Sequence, residues 1–261
     1  MKPLSRGRYE VRLAHTGDEV AAAQRLRHVA FRASRGASPS ASRGVARDAG
    51  RDADAFDDVA QHVLVRDRAR GDLVACYRVQ LFHGASVAQS YAAQFYDLSR
   101  LAHFPGPMLE LGRFCLDPGQ HDPDILRLAW AAMARMVDDA GAGLLFGCSS
   151  FAGADPAQHA GALSALAARV APEAWRPGPL APERIALSGV CAQIPNQAAG
   201  QVAGQIPGLP ALLRTYLSMG GWVSDHAVID RDLDTLHVLT GVEIAAIPPA
   251  RARALRLIAM E

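Results

Sequence analysis

Tyr9, Val11 and Leu13 alternate with Glu10, Arg12 and Ala14, the period-two pattern of a strand with one buried face. From Asp18 the period lengthens to that of a helix, carried by Val20, Leu26, Val29 and Ala30. Residues 34–54 hold Ser, Gly, Ala, Arg and Asp with hardly a large apolar side chain, a stretch too long for a simple connector and read as a candidate lid. Two strand-like runs follow, 61–65 and 73–81, and the polar stretch between them, with Gly71 near its end, predicts antiparallel neighbours. Residues 108–116 read as a further strand, and Asp122 before Pro123 marks the start of a helix reaching Ala140. Residues 144–148 read as a short buried strand, and Asp155-Pro156 repeats the cap-and-proline signal for a helix to about Val170. Periodicity is weak over 171–205, then returns as a helix over 209–219 and strands over 222–229 and 235–240. This order predicts an α/β (α+β) protein with a mixed central sheet flanked by helices. It is read as one domain over 1–261: a core at 9–170, an irregular insertion at 171–208, and a helix, strands and tail at 209–261.

Composition narrows the classes. Half of the 261 residues are apolar, which excludes a disordered tail or a fibre. With 27 basic against 26 acidic side chains the formal charge is +1, so no global field draws in nucleic acid. Every basic residue except Lys2 is arginine, the side chain suited to two-pronged recognition of anions. Cys76, Cys115, Cys148 and Cys191 form no C-x-x-C pair and sit among apolar neighbours, the mark of core thiols, a reducing compartment and no zinc site. Residues 1–14 lack an apolar signal-peptide core, and no apolar stretch is long enough to span a bilayer, so a cytoplasmic chain is expected.

Several charged residues sit where a bare fold does not need them. Arg27 and Phe31 share a face of the first helix. Asp54, Asp57 and Asp58 bracket Phe56 just before a buried strand, a cluster fit either to hold an ammonium or guanidinium group or to sit in solvent. Arg78 lies inside an apolar strand and requires a carboxylate partner or an anionic ligand. Glu110 and Arg113, three apart on the next strand, point to opposite faces unless a bulge intervenes, for which Gly112 is the natural position. Common alternatives are missing: Ser149 and Ser150 follow a strand without the glycines of a hydrolase elbow, the nine histidines show no ligand spacing, and no dinucleotide or P-loop glycine motif occurs.

Together, L-R-x-x-x-F at 26–31, D-A-F-D at 54–57, Arg78 and the segment Glu110-Leu111-Gly112-Arg113-Phe114 resemble the acyl-homoserine lactone synthase branch of the GNAT N-acyltransferases. Leu145-Phe146-Gly147-Cys148-Ser149-Ser150-Phe151, then Gly153-Ala154-Asp155-Pro156 and the late Gly221-Trp222-Val223, carry the similarity further, to the bacterial L-ornithine N-alpha-acyltransferases. The resemblance implies a GNAT-like fold and transfer of a 3-hydroxyacyl group to the alpha-amino group of L-ornithine, the first step of ornithine lipid synthesis. Alternatives are another acceptor such as glutamine or glycine, a homoserine lactone product, or a decayed domain that only binds lipid or carrier protein. Lactone synthases carry a tryptophan where this chain has Ala37.

No separate cofactor or metal is implied, the acyl donor being carried on the phosphopantetheine of acyl carrier protein. In acetyl-CoA enzymes of this fold a glycine-rich turn binds pyrophosphate at the start of a helix, whereas this chain has Gln120-His121-Asp122-Pro123-Asp124 there. In this reading Glu110 is the catalytic base, directly or through water. Arg78 or Arg27 pairs with the acceptor's carboxylate, Asp54 and Asp57 take its ammonium or orient the arginines, and Arg113 holds the pantetheine phosphate or locks Glu110. Phe31, Phe114, Ser149 and Ser150 complete the expected binding set, and Phe146 and Phe151 either line an acyl tunnel or belong to the core. The expected partners are carrier protein, the amino acid and transiently the cytoplasmic face of the inner membrane, reached through the 209–219 helix or the 251–260 tail.

Overall fold

The structure, a computed structural model, describes residues 1–31, 50–193 and 206–260. Residues 34–49 of the candidate lid, Ala37 among them, and residues 194–205 lie outside the described residues, as does the side chain of Cys191. In chain order the strands and helices are β1 (Leu4–Arg6), β2 (Tyr9–Leu13), α1 (Gly17–Phe31), β3 (Gln61–Asp67), β4 (Leu73–His83), β5 (Tyr96–Asp97), β6 (Pro107–Leu116) and α2 (Pro123–Ala140). They continue as β7 (Leu144–Ala152), α3 (Ala160–Leu166), β8 (Gly178–Pro179), β9 (Arg184–Ala186), α4 (Leu187–Gln193), α5 (Ala211–Ser218), β10 (Trp222–Val223), β11 (His226–Asp230), β12 (Thr235–Glu243) and α6 (Pro249–Met260). The chain forms two compact units, the first from Met1–Leu81, Leu111–Ala142 and Pro249–Glu261, the second from Phe82–Glu110 and Gly143–Pro248.

In the first unit β1, β2, β3 and β4 pair antiparallel in sequence order; the β3–β4 pairing is the one the 66–72 turn predicts, and β1 is a strand the apolar pattern does not mark. The helix α2 starts where its sequence signal says: Asp122 Oδ1 accepts the Asp124 N–H at 3.0 Å, with Pro123 at the first position, and Gly141 closes it at φ 59°. The other Asp122 oxygen accepts the Tyr9 hydroxyl at 3.0 Å, tying β2 to the helix start. Cys76 and Cys115 face each other with their sulfurs 3.5 Å apart as free thiols, buried beside Ala23 and Leu64. The 251–260 tail, read from sequence only as a basic apolar stretch, is the helix α6; Leu255 is buried and Arg256 makes a two-pronged pair with Asp138 of α2 at 2.7 and 2.8 Å.

In the second unit the 107–110 part of β6 runs parallel to β7, and β7, β12, β11 and β9 continue antiparallel, giving the mixed sheet the sequence predicts. Strand alternation sorts its side chains into two clusters. Phe151, Val223, Ala227, Leu236 and Val238 meet α3, α4 and α5 on one face, while Phe146, Trp222, Val228 and Leu239 meet the segment 82–104 on the other. Phe146 and Phe151 are therefore core residues on opposite faces. The apolar side of α5, one of the expected membrane contacts, is spent on this core through Leu213 and Leu217.

Three sequence expectations change in this unit. The strand 144–148 extends to Ala152, because β12 pairs with β7 from Glu243↔Leu144 to Thr235↔Ala152. The helix expected over 156–170 is broken into a 3-10 turn, α3 and a second 3-10 turn; His159 Nε2 bonds the Ala152 carbonyl at 3.0 Å and holds the first turn against β7. The strand expected over 222–229 is interrupted at 224–225, where the Ser224 hydroxyl takes over ladder bonds, donating to the His226 carbonyl at 2.6 Å and accepting the Leu239 N–H at 3.1 Å.

The Gly-Trp-Val motif has a packing reason. Trp222 pairs across the ladder with Gly241, and a Cβ on Gly241 would lie 2.3 Å from the indole. Gly241→Ala is expected to cost about 1–3 kcal/mol through overpacking, read as a lower urea midpoint at unchanged slope; an unchanged midpoint would mean the indole can move aside.

Candidate functional site

Six charged side chains in the first unit, three arginines and three aspartates, close on one another. Arg27, fully buried on α1, makes a two-pronged bond to Asp57, 2.7 Å to each carboxylate oxygen. Its Nε lies 3.2 Å from Asp52 Oδ2 and donates to the Asp52 carbonyl at 3.1 Å. Arg78 on β4 pairs with Asp54 at 2.5 and 2.9 Å and with Asp57 at 2.8 Å, its guanidinium 5.6 Å from the Phe56 ring centre. Arg113 reaches Asp52 and Asp54, each at 3.1 Å. Gln24 donates to Asp57 at 3.0 Å, and His62 Nε2 lies 3.1 Å from the Asp57 carbonyl oxygen.

Local sequence builds this arrangement. Asp54 caps the 3-10 turn Ala55–Asp58 by accepting the Phe56 N–H, and Asp57 reaches back to the Asp54 N–H at 3.2 Å, a reciprocal capping box. The turn therefore presents both carboxylates in fixed orientation to Arg27 and Arg78. The predicted irregularity in β6 is present but displaced: positive φ falls at Arg113, 53°, and not at Gly112. A left-handed arginine in a strand costs about 1–2 kcal/mol, and two carboxylates hold it there. A Cβ at Gly112 would meet Arg78 Nε at 3.7 Å, an ordinary van der Waals contact, so space alone does not require glycine there.

The charges are mutually neutralised, and their titration follows. Burial alone would raise the Asp57 carboxyl, but the Arg27 hydrogen bonds and the charges of Arg27 and Arg78 outweigh it and hold it well below the usual range. Asp54 is lowered likewise, burial being overcome by Arg78 and Arg113. Burial depresses the His62 imidazole, and the nearby arginines add to this.

The second unit places Glu110 at the last pair of the β6–β7 ladder, opposite Phe146. It is buried, and its carboxylate accepts the Tyr91 N–H at 3.0 Å and the Ala92 N–H at 2.8 Å. Arg113, expected to lock Glu110 or hold a phosphate, pairs with Asp52 and Asp54. Ser149 and Ser150 do not act as a pair: Ser149 is buried and accepts the Thr240 hydroxyl at 3.0 Å, whereas Ser150 is exposed. Phe114 stacks on Tyr77 at 5.4 Å, and Phe31 is half-buried against Ala23, Leu64 and the two thiols.

Sequence reading thus named Arg27, Asp54, Asp57, Arg78 and Arg113 as site residues, with Arg113 set beside Glu110 or a phosphate and not beside the aspartates, and it missed Asp52, Gln24 and His62. Asp52 is legible as a fourth acid of the same loop, beside Asp54, Asp57 and Asp58. Gln24 sits one helical turn before Arg27, and His62 carries no spacing signal. Among the described residues no group of three or more His, Cys, Asp or Glu is placed to hold a metal ion, and no helix is long and apolar enough to cross a membrane.

Residues 26–131 match the Acetyltransferase (GNAT) domain family. An L-ornithine N(alpha)-acyltransferase of Rhodobacter capsulatus is 31% identical over 245 residues, covering 91% of this chain and 89% of that protein. Another, from Brucella abortus, is 33% identical over 242 residues, covering 89% and 83%. Among solved structures, FeeM, an N-acyl amino acid synthase from uncultured soil microbes, aligns over 97% of this chain and 98% of its own at a TM-score of 0.47 and 12% identity.

Removing the Asp57 charge leaves two buried guanidinium groups short of a partner, so Asp57→Asn is expected to lose about 3–5 kcal/mol of unfolding free energy. The pH dependence has two stages. His62, with a depressed folded pKa, withdraws stability as pH falls below the unfolded value near 6.5. Asp54 and Asp57, also depressed, contribute fully above the unfolded value near 4 and withdraw it as pH falls toward their folded values. Urea midpoints between pH 7.5 and 5 should decline in the wild type and decline less in His62→Gln; parallel curves would remove His62 from the account.

Proposed function

The chain belongs to the L-ornithine N(alpha)-acyltransferase family, and on that premise we propose that it acylates the alpha-amino group of L-ornithine with a 3-hydroxyacyl group, forming lyso-ornithine lipid. The observation that carries the reading is identity above 30% along about nine-tenths of the chain with proteins of that name. The amine nitrogen attacks the thioester carbon, the carbon–sulfur bond breaks, and the amine's proton passes to Glu110, directly or through water, while the thiolate departs and is protonated. A buried carboxylate fixed by two backbone donors suits this duty because its orientation costs nothing at the moment of reaction.

A carrier-protein donor, with no separate cofactor, is supported by the start of α2. Asp122 already takes the Asp124 N–H, and its charge with that of Asp124 opposes a diphosphate. Phosphopantetheine on a carrier protein brings a single phosphodiester and no such demand. The product is an amphiphile, and action at the cytoplasmic face of the inner membrane fits α6, where Arg251, Arg253 and Leu257 are exposed.

Mass spectrometry of the protein incubated with 3-hydroxyacyl carrier protein or the matching CoA ester, and with ornithine, glutamine, glycine, lysine or homoserine, is expected to yield N-acyl-ornithine with the carrier-protein donor. Product on another amino acid would overturn the acceptor, equal rates with CoA the donor, and no product with any pair the enzymatic reading itself. Glu110→Gln is expected to lower kcat by about 10²-fold or more and to remove the acidic limb of its pH profile. Activity within about threefold would show that Glu110 only anchors the 91–92 turn.

A further inference from the structure

The sheet face of the second unit that meets the segment 82–104 is built on a largely apolar cluster, and besides Glu110 it carries polar rings at one place. There, two imidazoles and a phenol gather: the Tyr96 ring centre lies 5.2 Å from that of His226 and 5.7 Å from that of His237. The Tyr96 hydroxyl donates to the His237 carbonyl at 2.9 Å and lies 3.1 Å from His237 Nδ1. His226 is 4% exposed, and its Nδ1 lies 2.7 Å from Asp225 Oδ1. Its Nε2 is buried and has no hydrogen-bond partner among the described residues. A buried polar atom left unsatisfied in this way calls for a group that completes it.

Asp225 decides which kind of group that is. A carboxylate can only accept, so the Asp225 contact puts the proton of the neutral ring on Nδ1 and leaves a lone pair on Nε2. The nitrogen therefore accepts a hydrogen bond, and its ligand must be a donor. The surroundings fix the rest: Tyr96, Phe146, Trp222, Val228 and Leu239 are aliphatic or aromatic, so the donor arrives on an apolar body. This face is also continuous with Glu110, since Phe146 is the ladder partner of Glu110, and Ala92, which donates to the Glu110 carboxylate, precedes Tyr96 by four residues.

We propose that His226, held by Asp225 as a hydrogen-bond acceptor within this apolar face, reads a hydroxyl on the acyl chain and so sets the enzyme's preference among acyl donors. The assignment rests on the acyltransferase function proposed above. It distinguishes three chains that differ in one group: a hydroxyl satisfies Nε2, a keto oxygen presents a second acceptor to it, and a methylene leaves it unsatisfied. A site built to bond a hydroxyl discriminates strongly against analogues without one, because its own polar atom then stays buried and unpaired.

The test compares kcat/KM for 3-hydroxyacyl, 3-oxoacyl and unsubstituted acyl carrier protein of one chain length. Wild type is expected to favour the hydroxyacyl donor by about tenfold or more over both others. His226→Phe should collapse the preference, and Asp225→Asn, at a half-exposed position that carries little risk to folding, should raise use of the oxo donor relative to the hydroxy donor by freeing the ring to present an N–H. Ratios within about twofold of wild type in both variants would overturn the assignment and leave Nε2 to a buried water. A second measurement separates this from the function itself: the rise in melting temperature with free 3-hydroxydodecanoic acid should exceed that with dodecanoic acid and lose the excess in His226→Phe. Should no donor yield product, that excess alone still decides the His226 assignment, and equal shifts would overturn it.

Discussion

The mutual neutralisation of Arg27, Arg78 and Arg113 by Asp52, Asp54 and Asp57 is the constraint on which the first unit turns. Three guanidinium groups could not stay buried without it, since each would pay several kcal/mol of desolvation unreturned. Pairing in space joins four separate stretches of chain: α1, the turn at 52–58, β4 and the 111–116 part of β6. Arginine is the side chain that can do this, because a planar fork serves two carboxylates at once, as Arg78 does with Asp54 and Asp57. Such a network contributes little net stability but a narrow choice of geometry. That property suits a protein whose chemistry requires a positioned turn and an irregular strand.

Much of this was legible in the chain. A charge inside an apolar strand, as at Arg78, demands a partner wherever it occurs, and the only nearby surplus of acids was 54–58. The helix start at Asp122-Pro123 was legible for a similar reason, since both residues have a single comfortable place in a helix. What could not be read was the set of contacts that depend on tertiary placement. His62 and Gln24 carry no local signal and matter only because Asp57 arrives beside them. Backbone freedom makes Gly112 the natural place for a bulge, yet the positive φ falls on Arg113, whose two carboxylate partners outweigh the backbone preference. Ser224 broke a strand that hydrophobicity alone drew as continuous, through hydroxyl bonds that no pattern of apolar residues encodes.

The second unit solves a different problem with different means. Its sheet is covered on both faces, so β12 is buried nearly along its whole length and shows no clean alternation of apolar and polar residues. Parity still assigns each residue to a face: Leu236 and Val238 go to the α3–α5 side, His237 and Leu239 to the other. The same rule turns Ser149 and Ser150, adjacent in a distinctive motif, to opposite faces. It also places Glu110, through Phe146, on the face that carries Tyr96, His226 and His237.

That placement gives the buried polar atoms of this unit a common logic. In an apolar layer every hydrogen-bonding atom is conspicuous, because no water competes for it and its cost is paid unless a partner is present. Tyr96 has its partner within the fold, and Glu110 has two backbone donors; among the described residues His226 has a partner on one nitrogen only. The difference between the two histidines follows from their neighbours: a phenol beside His237 can donate or accept, whereas a carboxylate beside His226 can only accept. A single aspartate at the edge of the layer therefore determines the hydrogen-bonding sense of an atom buried within it, and with it the chemistry of whatever that atom can bind.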